Sequence, residues 1–400
     1  MKVLSIIVVL LTLIYFSLFR NPLPDIQRNV CERIRSKNYP CELLNTTTED
    51  GFVIGIHHLS NPGGKPILLW HGMLQNAATW AMNFPNQDLI YLLHDAGFDV
   101  YLGNARGTIY SQKHNSLDPK NDSKEYWERC EFDYGSRYDL PAVIDYILEN
   151  TGYQKLGYVG HSRGSTLMSV LLTEKPEYSY KVNLYVALSP PVFVAHTKSP
   201  AIRLINQALK NLYVNDLFSL FGVHSLGIKN PVLIKMFTEV CKTTPIVCEF
   251  AVFMFAGWDF DNFNRTRIPI YISNPETIPI QDLNHGLQCV NKGLFGKYDF
   301  GSEKNIEIYG QATAPLYDLS KIPHDGTKWM IYYGGNDIMV VPEDVDTLVK
   351  ELDPCVLYSK PIFLPKFSHL DFVWGTNANK FIYYDVVKAM LKQDFGKISK

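Results

Sequence analysis

The chain has 400 residues, 46% hydrophobic and 13% aromatic, with 38 Lys and Arg against 40 Asp and Glu and a formal net charge of −2. That length holds one large domain with an insertion, or two domains, and supplies a sizeable core. The mixed, near-neutral charge excludes a nucleic-acid binder built on basic blocks and a chain with an acidic tail.

After Met1 and Lys2, residues Val3 to Phe19 carry no charge. A basic start followed by an apolar run makes two of the three parts of a secretory signal peptide; Ser17-Leu18-Phe19 is a poor cleavage site. The run also sits at the lower edge of a membrane-spanning length. Residues 1–19 are therefore expected to be a signal peptide, with a retained signal-anchor as the alternative, and either sends residues 20–400 into the secretory pathway. In that setting Asn45, Asn121 and Asn264, each in an N-x-S/T sequon, are candidate glycan acceptors. The 7 cysteines fit an oxidising compartment. Cys241 and Cys248 are the closest pair and Cys31 and Cys41 the next, and an odd count leaves at least one thiol outside any intrachain bridge.

Apolar runs bounded by Gly or Pro then alternate with helical patterns. Pro66 to Trp70, Asp99 to Leu102, Leu156 to Val159, Val182 to Leu188, Trp329 to Tyr333 and Pro361 to Leu364 read as strands. Asp88 to Gly97, Asp139 to Asn150, Ser162 to Glu174 and Asn379 to Lys392 read as helices. Such alternation predicts an α/β fold with a mostly parallel sheet covered by helices on both faces. Between Pro191 and Tyr317 the alternation breaks into helical patterns, Ala201 to Val214 and Pro231 to Cys241, plus the wholly apolar Phe250 to Trp258. Residues 191–317 are expected to form a helical cap or lid inserted into a core of residues 20–190 and 318–400. Phe250 to Trp258 is read as a buried helix of that cap, with direct contact of Phe250, Phe253, Met254, Phe255 and Trp258 with an apolar substrate as the other reading.

Gly160-His161-Ser162-Arg163-Gly164 spells G-x-S-x-G between the Leu156 strand and the following helix. In an α/β-hydrolase this is the nucleophile elbow, a sharp strand-to-helix turn that exposes the Ser hydroxyl beside the positive end of the helix. A Ser hydroxyl attacks only if a base removes its proton, and that base is a His oriented by a carboxylate. The order on this fold is Ser, acid, His. Of 11 histidines, His369 alone follows the late strand and its Gly334-Gly335-Asn336-Asp337 turn, so it is the predicted base. Asp337 is the predicted acid; Asp371 is its rival, with a backbone-bonding role as its alternative, and Asp344 and Asp346 suit a helix start. The backbone N–H groups of Arg163 and of Met73, in Trp70-His71-Gly72-Met73, are the predicted oxyanion hole. No cysteine and histidine spacing suggests a metal, and no Gly-rich nucleotide fingerprint is present, so no cofactor is expected.

Taken together the motifs resemble the acid lipase family, which includes lysosomal acid lipase and gastric lipase. The resemblance runs from about Tyr39 to the C-terminus. It rests on Tyr39-Pro40-Cys41-Glu42 with Thr48-Glu49-Asp50-Gly51, Leu69-Trp70-His71-Gly72-Met73, Asn104-Ala105-Arg106-Gly107 with Ser111-Gln112-Lys113-His114, and Tyr138-Asp139-Leu140-Pro141-Ala142. The elbow, Gly334 to Asp337 and the distinctive His369-Leu370-Asp371-Phe372-Val373-Trp374-Gly375 complete it. The resemblance implies a Ser162–Asp337–His369 triad, a Cys241–Cys248 disulfide, a glycan at Asn264, and secretion or lysosomal delivery. It also implies hydrolysis of triacylglycerols or cholesteryl esters at a lipid–water interface. Two residues depart from the family pattern: Arg163 and Trp70 each stand where Gln is common. Nothing in the sequence sets the oligomeric state.

Overall fold

The structure is a computed structural model that describes residues 23–209, 218–227, 231–259, 261–273 and 275–397. The expected signal segment, and the end of the expected Ala201 to Val214 helix, lie outside the described residues. Among the described residues no helix is long and apolar enough to cross a membrane.

Among the described residues eleven strands are named in chain order: β1 Glu42–Thr47, β2 Phe52–Leu59, β3 Lys65–Trp70, β4 Phe98–Gly103, β5 Lys113–His114, β6 Leu156–His161, β7 Val182–Leu188, β8 Ser225–Leu226, β9 Ile278–Pro279, β10 Lys328–Gly334 and β11 Ile362–Leu364. The central sheet runs β1-β2-β4-β3-β6-β7-β10-β11, with β5 on β2. From β4 to β11 every neighbour is parallel; β1, β2 and β5 add an antiparallel edge. The antiparallel β1 and β2 were not legible as strands: β1 is a largely exposed edge with no core alternation, and the buried run of β2 is interrupted by Gly55, His57 and His58.

The parallel strands are apolar runs because both faces are buried. In β3, Ile67 and Leu69 join one core, with Val159 and Val186, while Leu68 and Trp70 join the other, with Tyr158 and Tyr185. Trp70 pairs with Gly103 on β4, where an added Cβ would lie 2.4 Å from the indole ring. The departure at Trp70 is thus a packing choice: the ring covers a glycine.

The chain leaves β3 toward β4 on one side and returns to β6 on the other. Between β3 and β6 the strand order reverses, which opens a crevice at the carboxyl ends of the strands where ligands bind in this class of sheet. Between β7 and β10 the chain is mainly helical, with helices at Pro200–Leu209, Pro231–Thr243, Pro245–Ala256 and Ile280–Lys292. Two disulfides are formed. Cys31–Cys41 ties the Val30–Arg35 helix to the start of β1, and Cys241–Cys248 joins two helices of the inserted segment; Cys130, Cys289 and Cys355 are free thiols.

Several buried titratable groups share one sign of pH dependence. Burial pushes the carboxyls of Asp88 and Asp371 each up to about 8. Burial alone would lower His285, but the Glu131 carboxylate against its ring raises it to about 10. All three bind a proton more tightly folded than unfolded. Their contribution is complete below the unfolded values, about 4 for the carboxyls and 6.5 for His, and is lost as pH rises toward the folded ones. Buried His57, His71 and His161, depressed to about 3, 4 and 3, act in the opposite sense only below about 6.5. The thermal midpoint is therefore expected to fall by at least about 5 °C between pH 6.5 and 8.5, measurable by differential scanning calorimetry.

Candidate active site

Ser162 stands between β6 and the Arg163–Glu174 helix at φ 51 and ψ −121, a conformation that points its side chain out of the turn. Such a φ is strained for a residue with a Cβ, and the surroundings hold it in place. The flanking glycines permit the turn. A Cβ on Gly164 would lie 2.4 Å from the Trp70 carbonyl oxygen, and one on Gly160 2.8 Å from Gly164 backbone. Ser162 N–H donates to the Leu188 carbonyl across to β7 at 3.0 Å.

Three predicted residues meet. Ser162 Oγ lies 2.8 Å from His369 Nε2, and His369 Nδ1 lies 2.9 Å from Asp337 Oδ2. Asp337 follows β10 and His369 follows β11, so strand ends on one edge of the sheet bring the three together. Asp337 Oδ1 accepts the Met339 and Val340 N–H groups, both at 2.9 Å, which fixes the plane of the carboxylate. His369 N–H donates to the Ala256 carbonyl at 3.0 Å, and His161 Nε2 lies 2.9 Å from the His369 carbonyl oxygen. The rival acid, Asp371, instead accepts the Ser368 N–H at 2.5 Å. Asp344 holds His196, from the inserted segment, by its backbone and ring.

The His71 loop follows β3 beside the elbow. His71 Nδ1–H donates to the Gly72 carbonyl at 2.8 Å and Nε2 accepts the Ala105 N–H at 3.0 Å, while Gln75 Oε1 accepts the Gly72 N–H at 3.0 Å. His71 is therefore a neutral brace of the loop, as its burial requires. A Cβ on Gly72 would approach Ser162 Cβ to 3.1 Å, so only glycine leaves the approach to the hydroxyl open. Arg163 opens its helix, and its N–H has no intrahelical acceptor. The Arg163 guanidinium turns away to pair with Asp282 on the Ile280–Lys292 helix and lies 5.0 Å from the centre of the Phe132 ring. The departure at Arg163 therefore leaves its charge paired rather than free, and the pair joins the elbow to the inserted segment.

The Pro245–Ala256 helix differs from the expectation. It is not a buried helix: Ile246, Val247, Phe250 and Phe255 are exposed, and only Cys248 and Ala256 are buried. Its apolar composition reflects faces turned outward as well as inward. Phe253 and Trp258 line a shallow apolar cleft with Tyr271 and Trp374. Of the sequons, Asn45 and Asn121 are exposed, whereas Asn264 is partly buried and caps Thr266. Among the described residues no group of acidic, His or Cys side chains could hold a metal ion.

One residue at the site escaped the sequence. Ser189, just after β7, lies 2.5 Å from Asp337 Oδ2 and 2.9 Å from His369 Nδ1. Its only signal was its place after a strand, which no motif marks.

A family model described as the alpha/beta hydrolase fold matches residues 65–376, and one described as a partial alpha/beta-hydrolase lipase region matches residues 30–84. Lipase member K of Homo sapiens is 35% identical over 384 residues, 92% of each chain. Gastric triacylglycerol lipase of Mus musculus is 36% identical over 384 residues, 92% of each chain, and that of Homo sapiens 34% over 385, 93% of this chain and 92% of the other. Among solved structures, a membrane phospholipase A superposes with a TM-score of 0.52 at 12% identity, covering 97% of this chain and 99% of that one. The epoxide hydrolase VrEH1 of Vigna radiata gives 0.51 at 14%, covering 88% and 98%. Those two likenesses concern the fold alone. The sequence relatives and the family models lead to one assignment: the chain belongs to the acid lipase family of α/β-hydrolases.

Proposed function

We propose that the protein is a secretory-pathway lipase that hydrolyses carboxylic esters of lipids, triacylglycerols or cholesteryl esters, through an acyl-enzyme on Ser162. The observation that carries the mechanism is the unbroken line from Ser162 through His369 to Asp337 at 2.8 and 2.9 Å. His369 Nε2 takes the Ser162 proton as Oγ bonds to the ester carbon and the carbonyl π pair moves onto oxygen. The N–H groups of Met73 and Arg163 receive that oxyanion. When the carbonyl re-forms, the ester C–O bond breaks and the alcohol leaves with the proton from Nε2. Water, losing its proton to His369, then attacks the acyl-enzyme, and the fatty acid leaves as Ser162 recovers its proton.

A lipid substrate, rather than a small soluble ester, is supported by the inserted segment. Leu220, Phe221, Val232, Met236, Ile246 and Phe250 are all more than half exposed there, and such apolar surface marks contact with a lipid or protein phase. Residues 191–317 act in this reading as cap and lid over a core of residues 20–190 and 318–400, with Phe253 and Trp258 against acyl chains. Glycans at Asn45, Asn121 and Asn264, and delivery to the exterior or lysosome, belong to the same proposal.

The test is fatty-acid release from emulsified triacylglycerol and from cholesteryl ester between pH 4 and 8, with an alkyl phosphonate ester as covalent probe. Release from either lipid, abolished when one phosphonate is mapped by mass to Ser162, is the expected result. A folded protein that cleaves only soluble short-chain esters would overturn the lipid assignment, and modification at another residue would overturn the mechanism.

A further inference from the structure

We propose that Ser189 is a fourth, positioning member of the catalytic group, whose hydroxyl dipole stabilises the charged Asp337–His369 pair. The proposal rests on the triad reading above. Among the described residues four non-glycine residues have positive φ, and two of them, Ser162 at 51° and Ser189 at 48°, are at this site. A non-glycine residue in that region stores strain that persists only when the surroundings fix it, and such strain clusters where geometry serves function. Ser189 is fully buried. Its N–H donates to the Tyr332 carbonyl on β10 at 2.8 Å, which locks the turn after β7 to the strand that carries Asp337.

The hydroxyl is placed between the two charges of the pair. Its O–H donates to Asp337 Oδ2 at 2.5 Å, and its oxygen faces His369 Nδ1 at 2.9 Å. His369 Nδ1–H is thus shared between Asp337 Oδ2 and Ser189 Oγ. With the Met339 and Val340 N–H groups on Oδ1, the carboxylate accepts four hydrogen bonds. The proton end of the hydroxyl points at the carboxylate and the oxygen end at the imidazole. That orientation favours the imidazolium–carboxylate state formed when His369 takes the Ser162 proton, so the contact strengthens as the transition state is approached and should act on kcat rather than on binding. The other titratable neighbour, His161, meets His369 through its carbonyl and is held neutral by burial, so it supplies no competing charge. Ser189 touches neither the substrate carbonyl nor the attacking oxygen; it acts through Asp337 and His369.

The experiment compares wild type with Ser189→Ala and Ser189→Gly on p-nitrophenyl butyrate, with active sites counted by phosphonate titration. Alanine keeps the strained turn and removes the hydroxyl; glycine removes the hydroxyl and relieves the strain. Both variants are expected to lose about 10- to 100-fold in kcat, the range of one hydrogen bond to a charged group, with KM within about twofold of wild type. Equal losses assign the effect to the hydroxyl. Unchanged kcat in either variant, or a loss carried by KM, overturns the proposal. Ser162→Ala, run beside them, separates the two readings. If it retains hydrolysis the triad itself is wrong, whereas a dead Ser162→Ala with unaffected Ser189 variants removes Ser189 alone.

Discussion

Ser162→Ala should lower kcat for ester hydrolysis by about 10⁶-fold and leave the thermal midpoint close to wild type, because it removes the nucleophile and little packing. Asp337→Asn should cost about 10⁴-fold by a different route. The amide cannot accept the Nδ1–H and the neighbouring backbone N–H groups as the carboxylate does, so the ring loses the tautomer that presents a bare Nε2 to Ser162. The double variant should be no worse than Ser162→Ala, since residues that act as a unit are not additive. The measurement is single-turnover release of p-nitrophenol at matched concentrations of folded protein, since a variant without Ser162 has no hydroxyl for a phosphonate to count. A Ser162→Ala rate within 100-fold of wild type would place the chemistry on another residue. An Asp337→Asn rate within tenfold would return the acid role to a different carboxylate. Asp371 is poorly suited to it, being held by Ser368 N–H and kept protonated by burial up to about pH 8.

How far the site could be read from sequence depended on whether a residue's role is written in its own neighbours. Ser162, Asp337 and His369 each follow a strand in a local pattern that the fold demands, and the structure places them within hydrogen-bond reach. The parallel strands were legible because burial on both faces leaves an uninterrupted apolar run. Ser189 was not legible: it is one polar residue after a strand, and its meaning comes from Asp337 and His369, distant in sequence. The same holds for Arg163, whose partner Asp282 sits on a helix of the inserted segment. The exposed faces of Pro245–Ala256 were misread because an apolar run states that water is avoided, not which phase replaces it.

Arg106→Met should destabilise the protein by about 3–5 kcal/mol, the size expected when one partner of a buried ion pair is removed and uncompensated charge stays behind. Arg106 ties three of the motif stretches, distant in sequence, to one another through Asp50 and Asp139. Its guanidinium donates to Asp139 Oδ1 at 2.8 and 2.6 Å, to both oxygens of Asp50 at 2.7 and 3.0 Å, and to the Arg129 carbonyl at 3.1 Å. It also lies 4.2 Å from the centre of the Phe52 ring. All of this is nearly dry, with side-chain exposures of 2% for Arg106, 10% for Asp50 and 0% for Asp139. Lysine cannot replace it, since one ammonium does not serve two carboxylates with a planar fork; Arg106→Lys should fall near the methionine variant. Arg106→Met with Asp139→Leu should recover part of the loss, because it removes the more deeply buried of the two stranded carboxylates and leaves only Asp50 without its partner. The effect reaches the chemistry through one backbone bond: Ala105 N–H, beside Arg106, holds His71 at 3.0 Å, and His71 braces the Gly72 loop that carries Met73. Urea unfolding and kcat should therefore fall together in Arg106→Met. Stability lost with kcat intact would show that the oxyanion loop keeps its shape without this anchor, and no loss of stability would show that the buried pair is not holding the edge of the sheet.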